Sequence, residues 1–148
     1  MISNYTVRPA LEAEFTQIKN LIHKVGINPS GLDWKRFIVA VNDEGKVVSC
    51  GQLKPHSGDI LELASIATHP DCERQGLASA IVSELLKTPT RPLYLMCMEH
   101  NGSFYERFGF RSVTENEMPK YFRRMKKLFQ VADVVMRSGE DLLIMKLG

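Results

Sequence analysis

Long apolar runs are missing from this sequence. No stretch approaches the roughly 20 residues needed to span a bilayer, and the N-terminus, Met1-Ile2-Ser3-Asn4-Tyr5, lacks the basic and apolar regions of a signal peptide. A soluble, cytoplasmic protein with no membrane partner is expected. Cysteine is scarce: Cys50, Cys72 and Cys97 are odd in number and lack Cys-x-x-Cys spacing, which argues against a disulfide framework and a zinc site. No metal is expected, and the thiols read as reduced, small apolar side chains. Cys97, close to the candidate site, reads as packing with a nucleophile as the alternative. Excess charge is also missing. A net charge of +2 and an isoelectric point near 8.5 favour the approach of a polyanion but fall short of the balance of a dedicated nucleic-acid binder. Two phosphate signatures are absent as well, the P-loop Gly-x-x-x-x-Gly-Lys-Ser/Thr and the dinucleotide Gly-x-Gly-x-x-Gly.

What is present is ordinary for a globular chain, with 44% hydrophobic and 24% charged residues. A chain of 148 residues buries enough apolar surface for one core, so a single domain over 1–148 is expected. Tyr5–Pro9 reads as a strand, and Leu11–Val25 sets Leu11, Phe15, Ile18, Leu21, Ile22 and Val25 at helical spacing. After the breaker-rich Gly26–Gly31, Phe37–Val41 and Val47–Leu53 form a hairpin across Asn42-Asp43-Glu44-Gly45. A second turn, His56-Ser57-Gly58-Asp59, leads into Ile60–Thr68, with Leu61, Leu63 and Ser65 on one face. Gly76–Lys87 is an amphipathic helix, Leu93–Met98 a buried strand, Ser103–Phe108 a short helix and Phe110–Val113 a strand. Met118–Val131 is helical again, and Val134-Val135-Met136 and Leu142–Leu147 are expected to close the chain as strands around Ser138-Gly139. The order implies a mixed α/β fold around one central sheet.

The chemistry concentrates in Ile66-Ala67-Thr68-His69-Pro70-Asp71-Cys72-Glu73-Arg74-Gln75-Gly76-Leu77-Ala78-Ser79-Ala80, which runs from a strand through a proline-marked turn into a helix start. The free N–H groups of such a turn and of the first helical turn make an anion site, and Gly76 and Ala78 are small enough to let a phosphate reach them. The plain alternative is a helix N-terminus and nothing more. A second segment, Asn101-Gly102-Ser103-Phe104-Tyr105-Glu106-Arg107-Phe108-Gly109-Phe110, follows the buried strand.

In this order and separation the two segments resemble the GNAT superfamily of acetyl-CoA-dependent N-acetyltransferases. That family carries Arg or Gln, two variable residues, Gly, one variable residue and Gly or Ala, then later an Asn and Phe-Tyr-x-x-x-Gly-Phe. Gly76 and Ala78 match; Glu73 departs from the pattern, since a carboxylate cannot donate to phosphate. The backbone of Arg74, Gln75, Gly76, Leu77, Ala78 and Ser79 is therefore expected to hold the pyrophosphate, with the Arg74 side chain assisting. The resemblance implies the GNAT fold, a largely antiparallel central sheet with splayed middle strands flanked by helices. It also implies pantetheine lying along Ile66, Ala67 and Thr68 like an added strand, Asn101 reaching its amides, and Tyr105 as general acid. A phenol of pKa about 10 keeps its proton at neutral pH and can give it to a departing thiolate. The alternative for Tyr105 is simple packing.

The implied reaction is acetyl transfer from acetyl-CoA, as cosubstrate, to a primary amine of an amino-acid-like or polyamine-like small molecule or of a peptide. The alternative is a CoA-sensing module of the same fold without catalysis. An α-amino group of pKa about 8 is roughly a tenth neutral at pH 7 and a lysine of pKa about 10.4 far less, so a lysine acceptor needs a base more. Glu62 is the first candidate, directly or through water, with His56, Glu99 and His100 behind it; a solvated or ion-paired Glu62 is the plain alternative. Lys120, Arg123, Arg124, Lys126 and Lys127 make a basic helix face that is either solvated or, with the loop Ile27–Trp34, flanks the acceptor channel and favours an acidic substrate. The Glu117-Met118-Pro119 turn weakly resembles acetyltransferases acting on glutamate. The expected partners are the amine and, in a homodimer, a second copy of the chain; nucleic acid is not expected.

Overall fold

The computed structural model describes residues 4–136 and 139–148. Among them run seven strands, β1 (Thr6–Pro9), β2 (Phe37–Val41), β3 (Val47–His56), β4 (Ile60–Thr68), β5 (Leu93–Met98), β6 (Arg111–Ser112) and β7 (Leu142–Leu147). The helices are α1 (Phe15–Val25), α2 (Leu77–Leu85), α3 (Gly102–Glu106) and α4 (Lys120–Met136). One mixed sheet has the order β1-β2-β3-β4-β5-β7-β6, which makes this an α/β fold with flanking helices. β1 pairs antiparallel with β2 from Thr6↔Val41 to Pro9↔Ile38, and β2 with β3 from Phe37↔Gln52, with a register shift between Ala40 and Val41. β4 pairs with β5 in parallel at Leu61↔Leu93 and Glu62↔Tyr94. β5 and β6 both pair antiparallel with β7.

The chain divides into two compact units. The first, Met1–Lys54 with Leu63–Pro89, is built on Ile18, Leu21, Ile22, Phe37, Val39, Cys50 and Ala67. α1 supplies Ile18, Leu21 and Ile22 from one stripe, and it stops where Gly26 takes φ 83° and returns its N–H to Ile22 O at 2.9 Å. In the same unit Gly51 lets α2 approach β3: a Cβ there would lie 2.5 Å from Ile66 Cδ1 and 2.7 Å from Ile81 Cγ2. The second unit, Pro55–Glu62 with Thr90–Gly148, packs Tyr94, Val113, Met118, Phe122 and Ile144 together.

Several boundaries differ from the sequence expectation. α1 begins at Phe15 because Glu12–Glu14 forms a 3-10 turn, in which Glu14 accepts from Leu11 N at 2.8 Å and from both Arg8 nitrogens. β3 runs on to His56, leaving Ser57–Asp59 as the turn. The larger correction concerns Val134-Val135-Met136, expected as a strand, which continue α4. β-branched residues suit strands, but no glycine or proline interrupts the helix started at Lys120, and adding a residue to a formed helix is easier than starting a strand. Of the expected turn that follows, Gly139 has φ 72° and Ser138 lies outside the described residues. The alternation of β4 breaks at Ser65, whose φ of 60° turns the following residues out of phase.

Candidate active site

In the first unit the end of β4 is tied to β3. Ser49 Oγ donates to Ala67 O at 3.0 Å and lies 2.8 Å from Thr68 Oγ1, while His69 N donates to Val48 O at 2.8 Å. Ile66, Ala67 and Thr68 are thereby held at a fixed height above the turn that follows. Pro70–Cys72 makes one 3-10 turn, and His69 Nδ1 accepts from Asp71 N at 3.1 Å. The chain then reverses through two left-handed residues, Arg74 at φ 63° and Gly76 at φ 80°. Only glycine takes that conformation without strain, and an arginine there is a local cost of the kind that accompanies sites.

Gly76 caps α2, offers no side-chain acceptor, and the first turn of α2 carries no acidic residue. The N–H groups opening this nine-residue helix have no side-chain cap, and they carry the positive end of the helix dipole. Gly76 is exposed, and its φ of 80° is one that a Cβ-bearing residue adopts only with strain. Leu77 is buried and can contribute only backbone, whereas Ala78 and Ser79 are partly open. The Gln75 side-chain oxygen accepts from Tyr5 Oη at 2.8 Å, which pins the turn to the N-terminal strand region. Glu73 and Arg74 are exposed, so the Glu73 carboxylate can stay in water.

In the second unit Asn101 precedes α3 with an exposed side chain, and Tyr105 is buried within α3, edge-on to Phe104 at 5.0 Å and to Phe110 at 6.2 Å. Burial, and then the neighbouring Cys97, push the Tyr105 phenol well above its ordinary range. The group is a neutral O–H donor throughout the physiological range. Burial also pushes the Cys97 thiol up to about 11 and the Cys50 thiol to about 12, so both behave as apolar packing groups rather than nucleophiles.

Glu62 is buried and bonded: its Oε1 lies 2.7 Å from His56 Nε2. The His56 ring stacks on Tyr121 with centroids 3.9 Å apart, and Phe122 meets it edge-on at 5.9 Å. Two of the sequence candidates are thus brought together. The other two are not: Glu99 is exposed, and His100 is turned to Glu140, donating its N–H at 2.9 Å and placing Nδ1 against the same carboxylate. Those contacts hold the Glu140 carboxyl below the usual carboxylate range, the backbone N–H first. Sequence reasoning missed Tyr121 as a partner of this pair. Its only local signal is a place on the apolar stripe of α4, which a core residue would share. The basic residues of α4 divide: Lys126 is bonded to Asp141 Oδ1 at 2.7 Å and to Leu142 O, while Lys120, Arg123, Arg124 and Lys127 are exposed.

Among the described residues no cluster of His, Cys, Asp and Glu could hold a metal, and no helix is long and apolar enough to cross a membrane. No curated protein matches the sequence. Solved structures do match the fold. N-acetylglutamate synthase from Neisseria gonorrhoeae, complexed with coenzyme A and N-acetyl-glutamate, superposes with a TM-score of 0.71 at 19% identity over 97% of this chain. This chain spans only 35% of that protein's length. Rv2747 from Mycobacterium tuberculosis, in complex with CoA, gives 0.71 at 24% identity over 96% of this chain and 98% of its own. A GNAT-family acetyltransferase from Staphylococcus aureus gives 0.71 at 12% identity, covering 97% of this chain and 98% of its own. The family profile described as the acetyltransferase (GNAT) domain matches residues 33–112, more than half of the chain, and takes in both the Gly76 turn and Tyr105. The chain belongs to the GNAT acetyltransferase family.

Proposed function

We propose that the chain, acting as one domain over 1–148, transfers the acetyl group of acetyl-CoA to a primary amine. The observation that carries this reading is that one family match, 33–112, contains both the uncapped Gly76 turn and the buried, protonated Tyr105. In this reading the backbone of Arg74 to Ser79 holds the pyrophosphate, Ile66 to Thr68 hydrogen-bond pantetheine as an added strand, and Asn101 reaches its amides. Acetyl-CoA then presents the thioester carbon to the amine. Attack raises a tetrahedral oxyanion, and collapse expels the thiolate of CoA, which takes the Tyr105 proton. The burial that raises the Tyr105 pKa also raises that of a thiolate formed beside it, so the two groups remain matched for proton transfer. The bonded pair His56–Glu62 is the source of the base.

The acceptor is an amino-acid-like or polyamine-like small molecule or a peptide. Support for the amino-acid end of that range comes from the Neisseria relative, solved with CoA and N-acetyl-glutamate. The test is thiol release from acetyl-CoA with a panel of amino acids, polyamines, antibiotics and peptides. Tyr105→Phe is expected to lose at least about 100-fold in kcat while still binding CoA. Release of no CoA with any amine would favour a CoA sensor instead.

A further inference from the structure

The sequence offers Glu62 as the first candidate base, and its surroundings in the fold favour its partner His56 for that part. Its side chain is 4% exposed and its Oε1 is engaged by His56 at 2.7 Å, whereas His56 keeps 12% of its side chain exposed at the end of β3, beside the exposed Ser57–Asp59 turn. An ionised carboxylate only accepts hydrogen bonds, so with Glu62 ionised and His56 neutral the ring proton lies on Nε2 and the basic lone pair on Nδ1. Among the described residues Nδ1 has no hydrogen-bond partner. The ring plane is fixed by stacking on Tyr121, 28° from parallel, and by the edge of Phe122. Among the described residues, the titratable groups in contact with the ring are Glu62 from β4 and Tyr121 from α4. The Tyr121 phenol is held above its ordinary range by burial and then by the Glu62 charge, so it stays neutral and leaves Glu62 to balance an imidazolium.

We propose that His56 takes the proton of the acceptor amine, with Glu62 as the residue that positions its ring and Tyr121 as the platform beneath it. This rests on the acetyltransferase reading above. A neutral imidazole is a stronger base than a carboxylate by about two pH units, which suits an acceptor that arrives as an ammonium ion. Nδ1 removes one proton from that ammonium. The freed nitrogen pair forms the C–N bond to the thioester carbon, and as the oxyanion collapses the C–S bond breaks with its pair going to sulfur. Sulfur takes the proton of Tyr105, the new amide nitrogen loses its extra proton to the phenolate, and His56 releases its proton to solvent. Thiol, amide and one proton balance the reaction.

His56→Gln keeps a donor near the Nε2 position for Glu62 but has no basic nitrogen, so it separates the proposed role from a packing role. With a lysine-like or polyamine acceptor, this variant should lose at least about 100-fold in kcat and also the acidic limb of the pH profile, with KM for acetyl-CoA within about two-fold. Glu62→Gln should retain the limb, with a smaller loss of about 10-fold. Nitrogen-15 NMR of the wild-type chain should show neutral His56 as the Nε2–H tautomer. The proposal is overturned if His56→Gln keeps the acidic limb while Glu62→Gln removes it, or if neutral His56 carries its proton on Nδ1. Inertness of the wild type toward every amine, with acetyl-CoA still bound, would instead overturn the acetyltransferase reading and this inference with it.

Discussion

At the scale of single residues, Gly76 works through what it lacks. Its φ of 80° starts α2 without a side-chain cap, and an L-residue in that conformation costs about 1–2 kcal/mol. Gly76→Ala should therefore lower stability by about 1 kcal/mol in denaturant melts, and Gly76→Val should also weaken CoA binding by about 10-fold or more, read by calorimetry. The cysteines sort themselves by burial. Cys50 and Cys97 are buried thiols pushed to about 12 and about 11, while Cys72 is partly exposed. A maleimide should label Cys72 alone in the folded protein and all three in denaturant, counted by mass spectrometry; rapid native labelling of Cys97 would contradict its burial.

Elements are held by a few contacts that act across many residues of sequence. Gly51 sits in β3 with Ile66, Ile81 and Leu85 around the space a Cβ would need, so Gly51→Ala pushes α2 and the turn before it outward. A loss of about 1–3 kcal/mol is expected, with CoA affinity falling alongside. Glu14 is the acidic anchor of the first unit. Its carboxyl is held below the usual carboxylate range by the hydrogen bonds of Arg8, against the opposing effect of burial and with help from Leu11 N–H. The sign follows from that direction: the folded pKa is lower than the unfolded one, so the stabilisation is complete above the unfolded value and is lost as pH falls through the folded one. Glu14→Gln should cost about 1–2 kcal/mol at pH ~7 and progressively less as pH falls through the folded pKa; a cost that does not shrink in acid would refute the linkage.

At the scale of the whole molecule the small positive charge leaves electrostatics a modest part of ligand capture. CoA is a polyanion, and its affinity should fall several-fold between ~0.05 M and ~0.5 M salt, with little salt-dependent binding to DNA or RNA over the same range. Steep nucleic-acid binding would reassign the exposed Lys120, Arg123, Arg124 and Lys127. Heat or denaturant should be followed by probes in both units, because the core around Ile18 and Phe37 and the core around Phe122 and Ile144 are separate clusters. Coincident transitions would indicate one cooperative fold.

The α/β class, most strands and helices, and the family are legible without coordinates, because the turn at Gly76 and the Asn101–Phe110 segment are local patterns whose spacing survives without knowledge of contacts. Boundaries slipped where local preference met a longer-range demand: Val134–Met136 have strand chemistry but extend a helix already formed, and Ser65 breaks a regular alternation with one positive φ. The pairing of His56 with Glu62, the ring of Tyr121 against it, the hold of Tyr5 on Gln75 and the crowding at Gly51 belong to tertiary structure alone. His56 and Tyr121 stand far apart along the chain, and no periodicity encodes a meeting between them. That meeting depends on the packing of α4 against β5, where Phe122 stacks on Tyr94.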